Sequence, residues 1–189
     1  RNPHQLTGRI YKVSYGERRP PPADLAKLSD EELCALQFHK NDWIVTRARR
    51  LLQERRPKAV DFGKSSSPPT TEAQLRAIWA KHVTGHLGEP AGLQRHGDAY
   101  VRAWGIRLDL EDGVAFRPAG LLELAKQDPS PVVRLWLAGA CQRMPLNERY
   151  PILEALAQRL EDAGDPHLPL MIWYALEPWI PAHRDRAVE

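Results

Sequence analysis

Cysteine and methionine are scarce in this chain of 189 residues, with two of each. Cys34 and Cys141 fall on the apolar faces of predicted helices, and we expect buried free thiols there because cysteine is among the most buried residue types. Long apolar runs are also absent. The longest, Leu135 to Cys141 and Leu168 to Leu176, fall far short of the ~20 residues that a membrane-spanning helix needs. The sequence therefore predicts no membrane insertion.

The chain lacks a strong charge of either sign. Charged residues make up 27% of it, yet the formal net charge is only +3, so the pI near 9 reflects a small excess of arginine. Such a balance does not favour nucleic acid as the partner. Apolar residues make up 42%, enough to bury the core of one domain of ordinary size.

Catalytic signatures are missing as well: there is no glycine-rich phosphate loop, no nucleophile elbow and no Cys-x-x-Cys-His string for haem attachment. His82 and His86 are spaced as two zinc ligands would be on a helix, with His96 as a third candidate. However, no His-Glu-x-x-His pattern is present, and Gly85 and Gly88 end that helix. We therefore assign no catalytic, metal or cofactor-binding residue and expect no cofactor in this segment.

What the chain does contain is a repeated phrase. Val101-Arg102-Ala103-Trp104 returns 32 residues later as Val133-Arg134-Leu135-Trp136, each after an aspartate. Weaker echoes follow two further aspartates, at Val45 to Ala48 and at Leu170 to Trp173. A period in the thirties is typical of stacked helix pairs, so the sequence predicts an all-α fold, a HEAT-like α-solenoid of about four helix pairs.

Each recurring residue type has an expected structural role. The aspartates cap helices, and the arginines reach the aspartate of their own or the next unit, which would make a ladder along the stack. The tryptophans are expected to be core wedges between units, with an exposed aromatic platform for a base or a sugar as the alternative. The predicted ladder and wedge residues are Asp42, Asp98, Asp128, Asp165, Arg102, Arg134, Trp104, Trp136 and Trp173.

One dense basic patch stands out on the second helix. Its members are Arg47, Arg49, Arg50, Arg55 and Arg56. They fit a solvated helix face, and alternatively a surface for an acidic partner.

Local signals divide the chain. Residues 1–19 include an alternating stretch, Leu6 to Tyr15, that predicts a strand; residues 20–27 are a proline-rich linker; residues 28–189 form the helical domain, with a loop inserted at 57–70. Ser29 with Glu32 and Thr71 with Gln74 predict capping boxes. The apolar stretch Pro178 to Pro181 is a candidate sticky end. Because the chain starts at Arg1, we expect a piece of something longer.

The phrase Asp128-Pro129-Ser130-Pro131-Val132-Val133-Arg134 resembles the central phrase of HEAT repeats. Together with Gly8 to Tyr11, Leu28 to Leu33, Asn41 to Trp43, His82 to Gly85 and Leu170 to Pro178, it resembles the middle of large exported bacterial proteins, membrane-bound dehydrogenases or haem-binding proteins. That resemblance implies a β-propeller before the repeats, a cytochrome c domain after them, and a periplasmic or exported location. It lends this segment neither the oxidation chemistry nor the haem.

Three functions follow as hypotheses. The leading one is a non-catalytic HEAT-repeat scaffold or protein-interaction module that binds neighbouring domains of a parent dehydrogenase, or another protein. The first alternative is a HEAT-like DNA glycosylase, which requires a basic concave groove with exposed tryptophan. The second is a redox segment of a sugar-dehydrogenase assembly.

Overall fold

The structure is a computed structural model that describes residues 13, 15–16, 24–62, 70–111 and 118–183. All regular secondary structure within these ranges is helical, as predicted. The strand predicted for Leu6 to Tyr15 lies almost wholly outside them, as does half of the 57–70 loop. Val13 and Tyr15, the described part of that stretch, are fully exposed and belong to no strand.

In the part of the chain that the structure describes, eight α-helices follow one another, joined by loops and 3₁₀ segments. In chain order they are α1 Asp30–Ala35, α2 Asp42–Arg55, α3 Thr71–Val83, α4 Ala99–Glu111, α5 Pro118–Gln127, α6 Pro131–Cys141, α7 Leu146–Ala157 and α8 Leu168–Leu176. The 3₁₀ segments are Leu25–Lys27, Leu36–Phe38, Pro90–Arg95, Leu160–Asp162 and Glu177–Ala182. Among the described helices, none combines the length and apolar character that a membrane crossing requires.

The helices pack in two layers. In one layer α2 contacts α3, α3 contacts α4, α4 contacts α6 and α6 contacts α8. In the other, α5 contacts α7, and both also pack against α6. The 3₁₀ segment Pro90–Arg95 packs closely on α4. Side chains on the free face of the first layer can therefore form one continuous row.

Helix starts show which local predictions were accurate. The capping box at Ser29 is confirmed: its Oγ accepts from the Glu32 amide at 3.2 Å, and the Glu32 carboxylate accepts from the Ser29 amide at 2.7 Å. The other two caps were placed one residue too late. Asn41, not Asp42, caps α2, and Thr70, not Thr71, caps α3.

Two groups of buried apolar residues form the core. One joins α1 and α2 through Leu33, Cys34, Ala48, Leu51 and Leu52. The other runs from α4 to α8 and is centred on α6 and α7. Cys34 and Cys141 are both buried free thiols, as expected, and burial raises the pKa of Cys141 to about 12. Neither thiol is poised to react at neutral pH.

The C-terminal end differs from the prediction in two ways. Trp179, within the expected sticky end, is 3% exposed and stacks between Tyr150 and His183, with ring centroids 4.2 and 4.1 Å away. Trp173, expected to be a core wedge, is instead 49% exposed. It shares an open face of α8 with Leu170 and Tyr174, since residues three and four apart lie together on a helix.

This exposure predicts that Trp173 contributes less to stability than a fully buried tryptophan would. We expect Trp173→Ala to lower the free energy of unfolding by about 1–2 kcal/mol, less than for a fully buried tryptophan, because about half of the residue stays in contact with water on folding. Urea denaturation at low protein concentration measures the change, and Tyr174→Ala on the same face is the matched control. A loss as large as that of a fully buried side chain would contradict the observed orientation.

Candidate functional site: a tryptophan and arginine groove

Arginines join consecutive helix pairs. Arg102 of α4 binds the Asp128 carboxylate through Nε and an Nη at 2.7 and 2.9 Å, and donates to the His96 and Gly97 carbonyls at 3.0 Å. The Asp128 side chain is 3% exposed. The sequence predicted this step of the ladder, which joins α4 to the turn before α6.

The following step uses a different aspartate from the one expected. Arg134 of α6 makes a bidentate pair with Asp162, at 2.5 Å for each bond, and donates to the Asp128 carbonyl at 2.9 Å. Asp165 instead caps α8 by accepting from the Leu168 amide at 2.8 Å. The turn before α8 contains both aspartates, and sequence spacing could not decide between them.

The first two predicted aspartates also find partners in neighbouring helices. Asp42 accepts from Arg76 of α3 at 2.5 Å. Asp98 caps α4 by accepting from the Tyr100 and Val101 amides, and it also accepts from the Thr71 hydroxyl at 2.5 Å. Arg76 was missed by sequence analysis because it lies outside the repeated phrase.

The Thr71 hydroxyl lowers the pKa of Asp98, with smaller contributions from the two amides. A carboxyl group whose pKa is lower in the folded state adds stability above its unfolded pKa, near 4, and loses that contribution as the pH falls through its folded pKa. We expect Thr71→Val to cost about 1 kcal/mol at pH 7. The difference from the parent protein should shrink as the pH drops below about 4.

Urea midpoints at pH 7 and pH 2.5 measure this effect. The matched control is Thr70→Val, which removes the hydroxyl that accepts from the Ala73 amide and involves no titrating group. Its cost should be about 1 kcal/mol and should not follow the titration of a carboxyl group. A Thr71→Val cost that is the same at both pH values would contradict the role of Asp98.

Three tryptophans meet across the first layer. The rings of Trp79 and Trp104 are 4.9 Å apart, and those of Trp104 and Trp136 are 5.4 Å apart. All three are partly buried, so they wedge the helices together and also reach the surface. Trp79 lacks the repeated Val-Arg pair, which is why the sequence did not assign it to this row.

Arginines lie over these rings. The guanidinium of Arg49 is 5.0 Å from the centroid of Trp79, and that of Arg107 is 4.9 Å from Trp104 and 5.9 Å from Trp136. These distances lie in the range of cation–π contacts. Arg107 follows Trp104 by three residues, a helical spacing that could have suggested the contact.

Two adjoining cavities of about 330 Å³ each open along this row and share Arg107. The first lies over Trp79 and Trp104 and includes Arg49, His82 and Glu111 in its wall. The second lies over Trp136 and includes Arg143 and Met171. We call the row and its two cavities the Trp–Arg groove.

The predicted arginine patch does not form one surface. Arg49 faces the groove, Arg50 pairs with Glu54 at 2.8 Å, and Arg55 binds Asp30 together with the carbonyls of Ala26 and Leu28. Arg47 is exposed. Arg56 ends α2 in a left-handed conformation, with φ of 47°.

His82 and His86 face different partners. His82 lies 3.6 Å from Glu111, whereas a ring nitrogen of His86 lies 3.1 Å from the Lys58 carbonyl. Within the ranges that the structure describes, no group of three metal-binding side chains assembles.

The chain was also compared with known proteins. No protein-family model, curated protein or solved structure matches it. Its function therefore has to be argued from its own residues.

Proposed function

We propose that this chain is a HEAT-like α-solenoid that acts as a non-catalytic scaffold in a larger protein, where it holds neighbouring domains or a partner protein. The observation that carries the proposal is the repeated clamp. Arg102 and Arg134, 32 residues apart, each bind an aspartate that precedes the next helix of the first layer, α6 or α8, and a carbonyl near the start of their own helix. Equivalent contacts at one period are typical of stacked repeats.

The exposed face of α8 supports the same proposal. A shift of 35 residues places the buried Val133 and Ala140 of α6 on the buried Leu168 and Ala175 of α8. Under this shift Gly139, which faces Met171 of α8, corresponds to the exposed Tyr174. The face that α6 offers to α8 is therefore the face that α8 leaves open. A further helix pair, or a neighbouring domain, would cover it.

Hydrogen exchange on the intact chain tests the repeat architecture. In a stack of repeats each unit contacts only its neighbours, so distant units can open separately. We expect amides in α2 and amides in α7 to exchange with different opening free energies and different denaturant dependence. A single global opening for both helices would contradict a repeat stack.

Binding of the flanking segments tests the scaffold role. The segments encoded immediately before and after this chain in its reading frame would be expressed separately and titrated calorimetrically with it. We expect at least one to bind, and Leu170→Glu on the open face of α8 to weaken binding of the following segment. Absence of binding by both would contradict the scaffold proposal.

A further inference from the structure

We infer that the Trp–Arg groove binds an acidic, extended peptide segment, with partner carboxylates seated on the outer edges of Arg49 and Arg107. This inference rests on the proposed scaffold function and names the class of partner. It is carried by the arrangement of charges and rings along one face of the first layer.

The two arginines are held in a geometry that suits carboxylates. Each guanidinium lies over an indole ring, with the central carbon of Arg49 5.0 Å from Trp79 and that of Arg107 4.9 Å from Trp104, and this contact restricts the side chain. A planar guanidinium can give two parallel hydrogen bonds to one carboxylate. Stacking therefore prepares both arginines to bind carboxylates with little further loss of side-chain freedom.

Among the described residues, no carboxylate forms an ion pair with Arg49. Its Nε donates to the neutral side chain of Gln37 at 3.3 Å. Burial, and then the positive charge of nearby Arg76, lowers the pKa of Arg49. The nearby carboxylate of Asp42 is bonded to Arg76. An incoming carboxylate would neutralise the partly buried guanidinium of Arg49. Ion pairs are strongest at such partly buried positions, because water screens the charges less.

The groove already contains one carboxylate in the proposed position. Glu111, at the end of α4, lies 3.4 Å from Nε of Arg107 and 3.6 Å from Nε2 of His82. The pair is half-exposed and its contacts are long, so it is weakly held. A partner carboxylate can displace it and take the same donors.

The length and the apolar parts of the groove fit an extended chain. Successive ring separations of 4.9 and 5.4 Å place Trp79 and Trp136 within about 10 Å, which an extended strand covers in about three residues. The cavity over Trp136 continues to Met171, where an apolar side chain of the partner can be buried. Acidic residues alternating with apolar ones match this surface.

Single-stranded nucleic acid would need open ring faces for its bases. Here Arg49 covers Trp79, and Arg107 covers Trp104 and Trp136, while the rings also cover one another. Glu111 adds a negative charge to the wall of the groove. The groove therefore favours a carboxylate-bearing peptide over nucleic acid.

The test uses the intact chain and three probes: a decapeptide that alternates glutamate with leucine, the same peptide with glutamine, and a ten-nucleotide oligothymidine. Binding is followed by tryptophan fluorescence and by calorimetry in 0.15 M salt. We expect saturable binding of the glutamate peptide and at least about tenfold weaker binding of the other two probes. Equal binding of the glutamine peptide, tighter binding of oligothymidine, or no binding of any probe would overturn the inference.

Substitutions locate the binding surface. Arg49→Gln and Arg107→Gln should each weaken binding of the glutamate peptide about tenfold, whereas Arg47→Gln, an equal charge change on the exposed side of α2, should stay within about twofold. Glu111→Gln should strengthen binding several-fold by removing the internal competitor. Circular dichroism confirms that each variant is folded. Equal losses in the Arg47 and Arg49 variants would overturn the inference.

The two proposals fail separately. Hydrogen exchange reports the repeat stack whether or not a peptide binds. If hydrogen exchange shows a repeat stack but the glutamate peptide does not bind, only the partner inference is contradicted. If the chain opens as one unit but binds the glutamate peptide, only the proposed repeat stack is contradicted.

Discussion

Replacing Asp162 with alanine is expected to lower the free energy of unfolding by about 3–5 kcal/mol. The side chains of Arg134 and Asp162 are 3% and 7% exposed and share two bonds of 2.5 Å. Among the described residues, Asp162→Ala leaves the buried guanidinium with the Asp128 carbonyl as a hydrogen-bond acceptor and the exposed Glu161 carboxylate 4.0 Å away. A buried charge without its counter-charge is far more costly than the pair itself is stabilising.

The double variant Arg134→Met, Asp162→Leu distinguishes the clamp from simple packing. Because it removes both charges and keeps apolar volume, we expect it to be more stable than Asp162→Ala. Urea denaturation of Arg134→Met, Asp162→Leu and the double variant gives the coupling energy. The exposed pair Arg50 and Glu54 is the control, and Glu54→Ala should change stability by less than about 0.5 kcal/mol. A loss below about 1 kcal/mol for Asp162→Ala would show that the pair does not hold the units together.

The sequence predicted helices well because helical periodicity and capping are local signals. The Ser29 capping box, for example, follows from two residues within one turn of each other. The caps at Asn41 and Thr70 were missed by one residue, because two adjacent polar residues could cap each helix. In each case the residue that does not cap the helix bonds to another helix instead. Asp42 pairs with Arg76, and Thr71 donates to Asp98.

Contacts between helices were harder to predict than the helices themselves. The repeat predicted the contact between Arg102 and Asp128, because α4 and α6 each begin two residues before the repeated Val-Arg pair. Between α7 and α8 the chain forms an extra 3₁₀ turn at Leu160–Asp162, and this turn places Asp162 in front of Arg134. The same change of spacing moves Trp173 out of the row and places Met171 in the groove. The number of residues between two repeated phrases does not show where an irregular turn forms.

The groove itself was only partly foreseen. Trp104 and Trp136 were expected as wedges, and the structure places them in a shared stack that is also open to solvent. Trp79, Arg49 and Arg107 join them from positions outside the repeated phrase. Their meeting depends on how α2, α3 and α4 sit side by side, which is a tertiary property that no local pattern in one sequence records.

Glycine at two helical positions should have opposite effects when replaced by alanine. A Cβ on Gly105 of α4 would lie 2.8 Å from Cβ of Leu93 and 3.0 Å from the backbone nitrogen of Gln94. These atoms belong to the rigid 3₁₀ segment that packs on α4, so the helix would have to move away. We expect Gly105→Ala to cost about 1–3 kcal/mol, even after the gain in helix propensity.

Gly139 of α6 provides the matched comparison, because its nearest neighbour to an added Cβ is the flexible end of Met171 at an ordinary 3.5 Å. There the alanine should stabilise the protein by about 0.5–1 kcal/mol through the lower entropy of the unfolded chain. Urea denaturation of both variants, made from the same parent, compares the two signs directly. If both substitutions stabilise, α4 and the Pro90–Arg95 segment do not approach as closely as the structure shows. The first layer, and with it the position of Trp104 in the groove, depends on that approach, because α4 carries both Gly105 and Trp104 on consecutive residues.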